Sequence, residues 1–318
     1  MRIGLMIGAD GTRQTLDDLT KRARRARRLG INDLWLANIF SFDAVNALTV
    51  IGRAVPDLGL GTAVTPTYPR HPTALAQQAL TAAAATDNRF VLGIGLSHKV
   101  VIEDMLGFSY ERPARHMREY LDIIGPLLRG EGVQVSGAQL TARGVQFDVP
   151  GARPVPLVIG GLGPVMLRLA GERADGTNTW MVGQKTMGEH IVPRLRKAAE
   201  AAGRDAPAVV AGFPIVLTKA VAEAREHIAK TLTIYGQLPS YRAMLDREGV
   251  AGPADIALVG DETVLRKGLK ALKAQGVTHF NAAIADTDRG AFRRTLAFLG
   301  DYAPKRPAKT VFERVRAA

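Results

Sequence analysis

The first candidates for chemistry are polar residues that directly follow apolar, strand-like segments. The segment "TPTYPRHP" at 65–72 follows the apolar run 58–64 and holds three prolines, and "SH" at 97–98 follows the run 89–96. Proline fixes φ, so the first segment is a stiff polar loop of the kind that carries chemistry in α/β enzymes. His98 could act as an acid or a hydrogen-bond donor, or be an ordinary loop histidine. His71 is expected to cap the next helix or to pack against the loop.

Several other kinds of catalytic centre are excluded by the residue types. The chain has no cysteine, so it has no thiolate nucleophile, no thiolate metal ligand and no disulfide. None of its six histidines stands at a metal-ligand spacing such as H-E-x-x-H, and we expect no metal site. No G-x-S-x-G motif offers a serine nucleophile. Glu103 and Asp104 are adjacent, and because neighbouring helical residues do not face each other, we interpret them as surface charges.

Glycine-rich segments form the second group of candidates. "GLGTAV" at 59–64, "GIGLSH" at 93–98 and "GGLGPV" at 160–165 begin like dinucleotide-binding fingerprints, but none completes G-x-G-x-x-G. Each could be only a tight turn between a strand and a helix. "GGLG" leads into a helix expected to begin at Pro164, and free amides at a helix N-terminus attract anions. We therefore expect a phosphate cradle there, with small residues of "ADGT" at 174–177 beside it.

Such loops, without an acid pair, a metal site or a nucleophile, favour a cofactor that brings its own reactivity. The elements that must position them alternate along the chain. Eight apolar, strand-like runs are each followed by a helical pattern, at 2–8, 33–38, 58–64, 89–96, 155–161, 176–182, 208–218 and 278–284. Near-continuous apolar strands indicate a parallel sheet, and eight such units in 318 residues predict an α/β fold, a single (β/α)8 TIM barrel. Segment 130–150 is interpreted as a hairpin and 236–261 as an insertion with a short helix, both within one domain over 1–318.

Composition limits the partners of the chain. Its 42 Lys and Arg exceed its 30 Asp and Glu, giving a net charge of +12, and the densest basic cluster is at 17–30. Leu19, Ala23 and Ala26 form an apolar stripe there, so we interpret the cations as one solvated helix face. Neither interleaved aromatic residues nor a recognition motif accompanies them, so we expect no nucleic acid. No run is long enough to span a membrane and nothing argues for secretion, so we expect a cytoplasmic protein.

Beyond these patterns, one long segment carries a family resemblance. "LGTAVTPTYPRHPTALAQQALTAAAATDNRFVLGIGLSHK" at 60–99 resembles the luciferase-like flavin and deazaflavin oxidoreductases, in particular their actinobacterial branch that uses coenzyme F420. Asn88 stands where glycine is common before Arg89. "GPVMLRLAGERADGTNTWM" at 163–181 and "YGQLPSYRAMLDREG" at 235–249 are also similar to this branch, so the resemblance covers nearly the whole chain.

The resemblance implies the same barrel and a set of site residues. It implies a bulge or a cis peptide at Ala63–Val64, against which the cofactor ring would lie. It implies catalytic roles for residues at the strand ends, namely His98, Tyr68 and Asn38. The residues implied to bind the cofactor are Ala37, Asn38, Ala63, Val64, Gly95, Ser97, His98, Gly160, Gly161, Leu162, Gly176 and Thr177. Of these, the last five would surround the phosphate.

One departure from the family bears on the reaction. Sugar-phosphate dehydrogenases of the family place an Asp-His pair after the second strand, where this chain has Asn38 and Ile39. Isoleucine cannot transfer a proton, so the resemblance implies reduction of an activated C=C or C=N bond of a small molecule by reduced F420, with His98 or Tyr68 as the proton donor. The alternatives are an FMN-dependent luciferase-like monooxygenase and a non-catalytic flavin- or F420-binding protein.

Two further expectations concern surfaces of the protein. Family barrels commonly pair through outer helices, and the alanine-rich face at 79–85 leads us to expect a homodimer. Arg70 and Lys99 are expected near the mouth, where they could meet the anionic tail of F420.

Overall fold

A closed barrel of parallel strands forms the centre of the molecule. The computed structural model describes residues 1–8 and 14–317. The barrel strands are β1 (Arg2–Ile7), β2 (Asp33–Leu36), β3 (Gly59–Thr62) with its continuation β4 (Thr65–Pro66), β5 (Phe90–Gly95), β8 (Leu157–Gly160), β9 (Gly176–Trp180), β10 (Ala208–Leu217) and β12 (His279–Ile284). Each pairs in parallel with the next, and β12 pairs with β1 to close the ring. The predicted (β/α)8 barrel is confirmed.

Helices surround the barrel and alternate with its strands. The α-helices are α1 (Leu16–Arg28), α2 (Ala44–Ala54), α3 (Pro72–Ala85), α4 (Pro113–Leu128), α5 (Pro164–Arg173), α6 (Gln184–Thr186), α7 (Val192–Ala201), α8 (Val221–Thr231), α9 (Thr233–Gln237), α10 (Pro239–Glu248), α11 (Pro253–Ile256), α12 (Glu262–Ala274), α13 (Ala291–Tyr302) and α14 (Val311–Val315). Two π-helical turns lie at Val100–Met105 and Met187–Ile191. Within the described part of the chain, no helix combines the length and the apolar character that a membrane span requires.

The basic helix α1 follows its sequence pattern. A capping box between Thr15 and Asp18 begins the helix, and the stripe of Leu19, Ala23 and Ala26 is buried. The cations Lys21, Arg25 and Arg28 are exposed, as the solvated face requires, whereas the half-buried Arg22 lies 4.8 Å from the centroid of the Phe292 ring.

The predictions for the hairpin at 130–150 and the insertion at 236–261 differ in outcome. The hairpin within 130–150 is confirmed as the antiparallel strands β6 (Val133–Ser136) and β7 (Thr141–Val145). Segment 236–261 was interpreted too simply, because it holds α10, α11 and a strand, β11 (Leu258–Gly260). β11 pairs with the last residues of the long strand β10, which extends beyond its contacts with β9. Because β11 has only three residues, its sequence shows no strand periodicity. It is a strand only because it pairs with the edge of β10 that β9 leaves free.

The alanine-rich face of α3 is used inside the protomer. Ala79, Ala82 and Ala83 are buried, and α3 packs against both α2 and α4. Most of the alanines cited for a homodimer are therefore covered within the protomer, although Thr81 is exposed, and the homodimer stays a prediction.

The third barrel strand is interrupted by a bulge. Gly61 pairs with Val91 and Thr65 with Ile94, so one extra residue lies on the side of β3 and β4. The peptide bond Ala63–Val64 within the bulge is cis, as expected. The hydroxyl of Thr62 donates to the carbonyl of Gly93 at 2.7 Å and accepts from its amide at 2.8 Å. The Thr62 side chain thus bonds both the amide and the carbonyl of Gly93, which the bulge leaves without partners in the pairing of the third strand with β5.

We expect Thr62→Val to destabilise the fold by about 1–3 kcal/mol, because it leaves the buried amide and carbonyl of Gly93 without partners. Urea unfolding of both proteins measures the difference. Thr81→Val is the control, since the exposed Thr81 hydroxyl donates only to the carbonyl of Gln77. Equal midpoints for wild type and Thr62→Val would contradict the assigned role.

Candidate active site

The bulge brings three predicted site residues together at the carboxyl ends of neighbouring strands. A Cβ atom placed on Gly95 would lie 2.6 Å from Cγ2 of Val64, and one placed on Gly160 would lie 3.2 Å from the same atom. The side chain of Val64 therefore covers the ends of β5 and β8, where only glycine leaves room for it. This surface, formed by Val64, Gly95 and Gly160, is called the glycine platform below.

The second strand contributes to the other side of the bulge. The amide of Ala63 donates to the carbonyl of Leu36 at 2.8 Å, so Ala63 lies beside the end of β2 and the buried Ala37. Asn38 is half-buried, and its Oδ1 accepts from the amide of Ala44 at 3.0 Å. The carbonyl of this side chain therefore helps to begin α2, and only its NH2 group remains for a bound molecule.

Tyr68 follows Thr67, whose amide donates to the carbonyl of Gly95 in the platform at 2.9 Å. Its ring stacks on His116 at a centroid distance of 4.0 Å and on Tyr110 at 5.3 Å. His116 in turn hydrogen-bonds the hydroxyl of Thr67 at 3.1 Å. The hydroxyl of Tyr68 is buried and has no hydrogen-bond partner among the described residues. Burial, with Tyr110 and Glu103 nearby, raises the pKa of Tyr68 to about 12, so this hydroxyl is a protonated donor at neutral pH.

His98 lies on the adjoining loop, after a residue with unusual backbone geometry. Ser97 has φ = 61°, a left-handed conformation that is uncommon outside glycine, and its carbonyl accepts from the hydroxyl of Tyr110 at 3.2 Å. The ring of His98 lies 5.5 Å from that of Tyr241 on α10. Burial lowers the pKa of His98 below its ordinary value, which favours the neutral imidazole as a hydrogen-bonding group.

The glycine loop after β8 has the geometry expected of an anion site. α5 begins at Pro164, as predicted, and no side chain caps its N-terminus. The loop is fixed by His190, whose Nε2 lies 2.8 Å from the carbonyl of Leu162 and donates to it. His190 is buried, and its Nδ1 has no partner in the described part of the protein. Sequence analysis missed this residue, because no motif connects it to a loop 28 residues earlier in the chain.

Two further residues implied at the phosphate, Gly176 and Thr177, begin β9. Gly176 pairs with Val158 and with Ala208 at the first position of β9, so it lies toward the amino end of that strand. Thr177 is fully buried, and its hydroxyl donates to the carbonyl of Ile159 at 2.8 Å. The same hydroxyl lies 3.4 Å from the carbonyl oxygen of Gly161 in the glycine loop, so Thr177 adjoins that loop, and the implied role of both residues at the phosphate stays a prediction. Both residues also join β9 to its neighbours.

The two cations expected at the mouth both have carboxylate partners. Arg70 pairs with Asp43 at 2.7 Å, and Lys99 pairs with Glu103 at 3.4 Å. Glu103 also accepts from the amide of Tyr110 at 3.0 Å, so its interpretation as a mere surface charge was wrong. Asp104 is exposed, as expected. The pair of Arg70 and Asp43 joins the loop after β3 to the loop after β2. The pair of Lys99 and Glu103 lies within the segment that follows β5.

The aromatic surroundings of the site were not predicted. Beyond the stack of Tyr68, the rings of His98, Tyr241, Tyr235 and Trp180 follow one another at centroid distances of 5.5, 5.3 and 6.0 Å. These rings and the stacked rings of the Tyr68 group together form what we call the ring wall, which consists of Tyr68, Tyr110, His116, His98, Tyr241, Tyr235 and Trp180. A partial signal was present, because His116 and Tyr120 stand four residues apart on one face of α4. His71, by contrast, caps α3 by accepting from the amide of Thr73, as expected.

The residues at this end of the barrel fit a large, flat, polar-edged cofactor. Buried polar atoms without a partner in the described structure include Thr65 Oγ1, the Tyr68 hydroxyl, Asn178 Nδ2 and Trp180 Nε1. A heteroaromatic ring on the glycine platform, with its phosphate toward α5, could satisfy such atoms. No group of three or more His, Cys, Asp or Glu side chains in residues 1–8 and 14–317 is arranged to hold a metal ion.

Two concavities lie at the opposite end of the barrel. One is a cavity of about 140 Å³ lined by residues such as Arg2, Asp33 and Phe312, where α14 covers the amino ends of the strands. The other is a cleft of about 550 Å³ that includes Lys273 and Lys309. Chemistry in a barrel of this type belongs to the carboxyl ends of its strands, so we place the candidate site at the glycine platform.

We expect Gly95→Ala to cost about 1–3 kcal/mol of stability, because its Cβ would overlap Val64. In a Val64→Ala background, the same change should cost less, since the overlapping Cγ2 atom is gone. Urea unfolding of the two single variants and the double variant measures this coupling. Gly163→Ala is the control, because a Cβ there meets open space and φ is −78°. Equal costs of Gly95→Ala in both backgrounds would refute the packing of the platform.

Comparison with curated proteins gives relatives that share much of the chain. The chain is 30% identical over 241 residues to a 5,10-methylenetetrahydromethanopterin reductase of Methanolobus tindarius, a match that covers 74% of this chain and 72% of that enzyme. It is 32% identical over 171 residues to an F420-dependent glucose-6-phosphate dehydrogenase of Mycolicibacterium smegmatis. That second match covers 51% of this chain and 50% of that enzyme, so it spans only half the length of the relative.

Solved structures agree on the fold. The oxygenating constituent of 3,6-diketocamphane monooxygenase of Pseudomonas putida, a type II Baeyer–Villiger monooxygenase in complex with FMN, superposes with a TM-score of 0.76 at 16% identity. That likeness covers 97% of this chain and 99% of the other, and it concerns the fold alone. The model of the luciferase-like monooxygenase family matches residues 1–289. With its barrel, its bulged third strand and this match, the chain belongs to the luciferase-like monooxygenase family.

Proposed function

We propose that this protein is an F420-dependent oxidoreductase that uses the reduced cofactor to reduce an activated C=C or C=N bond of a small molecule. Membership of the family supports a cofactor-dependent redox reaction, and the F420 dependence of the M. smegmatis relative favours the deazaflavin. The observation that carries the proposal is the buried hydroxyl of Tyr68, which has no hydrogen-bond partner among the described residues and can donate to a substrate atom.

The cofactor would be held by the glycine platform and by the loop before α5. Val64, Gly95 and Gly160 offer a flat surface to its ring, and the uncapped N-terminus of α5 offers amides to its phosphate. His190 keeps the loop in place through the carbonyl of Leu162. When bound in its reduced form, F420 supplies a hydride.

The side chains of the protein would supply orientation and a proton. The Tyr68 hydroxyl, fixed between Tyr110 and His116, donates a hydrogen bond and then its proton to the substrate atom on which negative charge develops. The neutral ring of His98 is the second candidate donor on this side of the barrel. The position after Asn38 holds Ile39, which can neither accept nor donate a proton.

Two competing functions follow from the same fold. An FMN-dependent monooxygenase is favoured by the structural neighbour that was solved with FMN. A non-catalytic binding protein would keep the glycine platform and the α5 loop but would not turn over a substrate. The identity of the tighter cofactor and the presence of turnover separate the three functions.

We expect F420 to bind more tightly than FMN, with only a weak dependence on salt. Arg70 and Lys99 are already paired with carboxylates, so the anionic tail should gain little from them, and affinity should fall less than about tenfold from low to high salt. Fluorescence titration of the purified protein with each cofactor, at two salt concentrations, measures this. Equal or tighter binding of FMN would favour the monooxygenase. Tight F420 binding without oxidation of reduced F420 by enones or imines would favour the binding protein.

We expect Tyr68→Phe to lower kcat by about 10²–10⁴-fold, because it removes the donor while keeping the stacked ring. The dissociation constant of F420 should stay unchanged, since the hydroxyl does not form the platform. Stopped-flow oxidation of reduced F420 and a cofactor titration measure the two quantities. Tyr302→Phe on α13 is the matched control and should leave kcat unchanged. If Tyr68→Phe retains kcat, the donor is not Tyr68, and His98→Gln becomes the variant to test.

A further inference from the structure

We propose that the substrate is a neutral, mainly apolar unsaturated carbonyl compound whose apolar body lies on the loops around the carboxyl end of the barrel. This inference rests on the proposed reduction and adds the class of substrate. It also sets the protein apart from its relative named for glucose 6-phosphate, an anionic sugar.

The loops that surround the site present large apolar side chains to solvent. Phe40, after β2, is 70% exposed, Met105, after β5, is 58% exposed, and Ile234 on α9 is 61% exposed. We call the full set the mouth rim, which consists of Ile39, Phe40, Val100, Met105, Leu106, Phe108 and Ile234. Most large apolar side chains that are exposed in the described residues belong to segments that follow strand ends. Clusters of this kind on a soluble protein usually mark a binding surface.

Contacts between the loops make the mouth rim continuous with the candidate site. The loop after β2 is joined to that after β3 by the pair of Asp43 and Arg70. The loop after β3 is joined to that after β5 by the stacked rings of Tyr68 and Tyr110. The loop after β5 then meets α10 through His98 and Tyr241. These contacts link the loops that carry Phe40 and Met105 to one another around Tyr68, and Ile234 precedes Tyr235 of the ring wall in the chain.

The distribution of charge argues against an anionic substrate. Arg70 and Lys99, which follow Tyr68 and His98 closely in the chain, are both neutralised by carboxylates. Arg194 and Arg247 act electrostatically on His190 and hence belong to the side of the phosphate loop. A phosphorylated sugar would compete with carboxylates for Arg70 and Lys99, whereas an apolar body would bury the rim.

The polar features of the ring wall fix the other end of the substrate. The Tyr68 hydroxyl is a buried donor without a partner, so it suits one hydrogen-bond acceptor such as a carbonyl oxygen. A molecule with one carbonyl group conjugated to a C=C bond and a long apolar chain matches both features. Its carbonyl would lie at Tyr68, and its chain would extend outward along the rim.

The test compares chain length and charge. Unbranched enones from but-3-en-2-one to dodec-3-en-2-one are assayed with reduced F420, and glucose 6-phosphate is assayed with oxidised F420. We expect kcat/KM to rise at least about tenfold along the enone series, since each buried methylene adds affinity, and we expect no turnover of the sugar phosphate. Displacement of the neutral dye N-phenyl-1-naphthylamine from cofactor-free protein gives a second readout that does not depend on catalysis.

Substitutions in the mouth rim test whether its side chains cause the dependence on chain length. Phe40→Ser and Phe108→Ser should each remove most of the chain-length dependence in both readouts. Val50→Ser is the matched control, because Val50 is 49% exposed but lies within α2. A flat chain-length series, or rim variants that behave as wild type, would overturn the inference while leaving the reduction intact.

Other outcomes separate the inference from the proposed function. If no enone is reduced but long enones still displace the dye in a rim-dependent way, the apolar binding site stands and the proposed reduction fails. If light scattering shows a dimer that Phe40→Ser and Phe108→Ser dissociate, a second copy covers the rim and the inference is wrong. Rim-dependent sedimentation with neutral phosphatidylcholine vesicles would equally overturn it in favour of a lipid surface.

Discussion

The site depends on one side chain that repairs an interrupted sheet. Thr62 hydrogen-bonds both backbone groups of Gly93 at the place where the extra residue of the third strand breaks the ladder. The barrel therefore stays closed around a bulge that turns Val64 over the ends of β5 and β8. A Cβ atom placed on residue 93 would lie 2.0 Å from the carbonyl oxygen of Thr62. This contact therefore requires glycine on β5 and a short hydroxyl side chain on β3.

Around this joint, the functional groups are held by contacts between loops rather than by the barrel itself. Tyr68 stacks between Tyr110 and His116, which come from the loop after β5 and from α4. His190 reaches from a π-helical turn to the glycine loop before α5. Each group thus has a fixed position while its hydrogen-bonding atom, the Tyr68 hydroxyl or His190 Nδ1, remains without a protein partner. Such preorganised, unsatisfied groups are typical of sites that a ligand completes.

The structure also assigns different tasks to the two ends of the barrel. At the amino ends of the strands, Arg2 pairs with Asp33 and Glu313, and α14 covers the opening. At the carboxyl ends, Arg70 and Lys99 are paired with carboxylates, and the loops expose apolar side chains such as Phe40 and Met105. Ion pairs thus help to close the amino end of the barrel, whereas the carboxyl end exposes apolar side chains and a few polar groups. This division is consistent with chemistry at the carboxyl ends and stability at the amino ends.

The sequence by itself determined the eight strands, the helices between them, the hairpin at 130–150 and the start of α5 at Pro164, because local periodicity, proline and caps act over a few residues. A family resemblance added the bulge at Ala63–Val64. Only the tertiary structure decided which side chains meet. It joined His190 to Leu162, stacked His116 on Tyr68 and paired β11 with the free edge of β10. These contacts depend on strand register and loop packing between distant segments, and no local pattern records such distances.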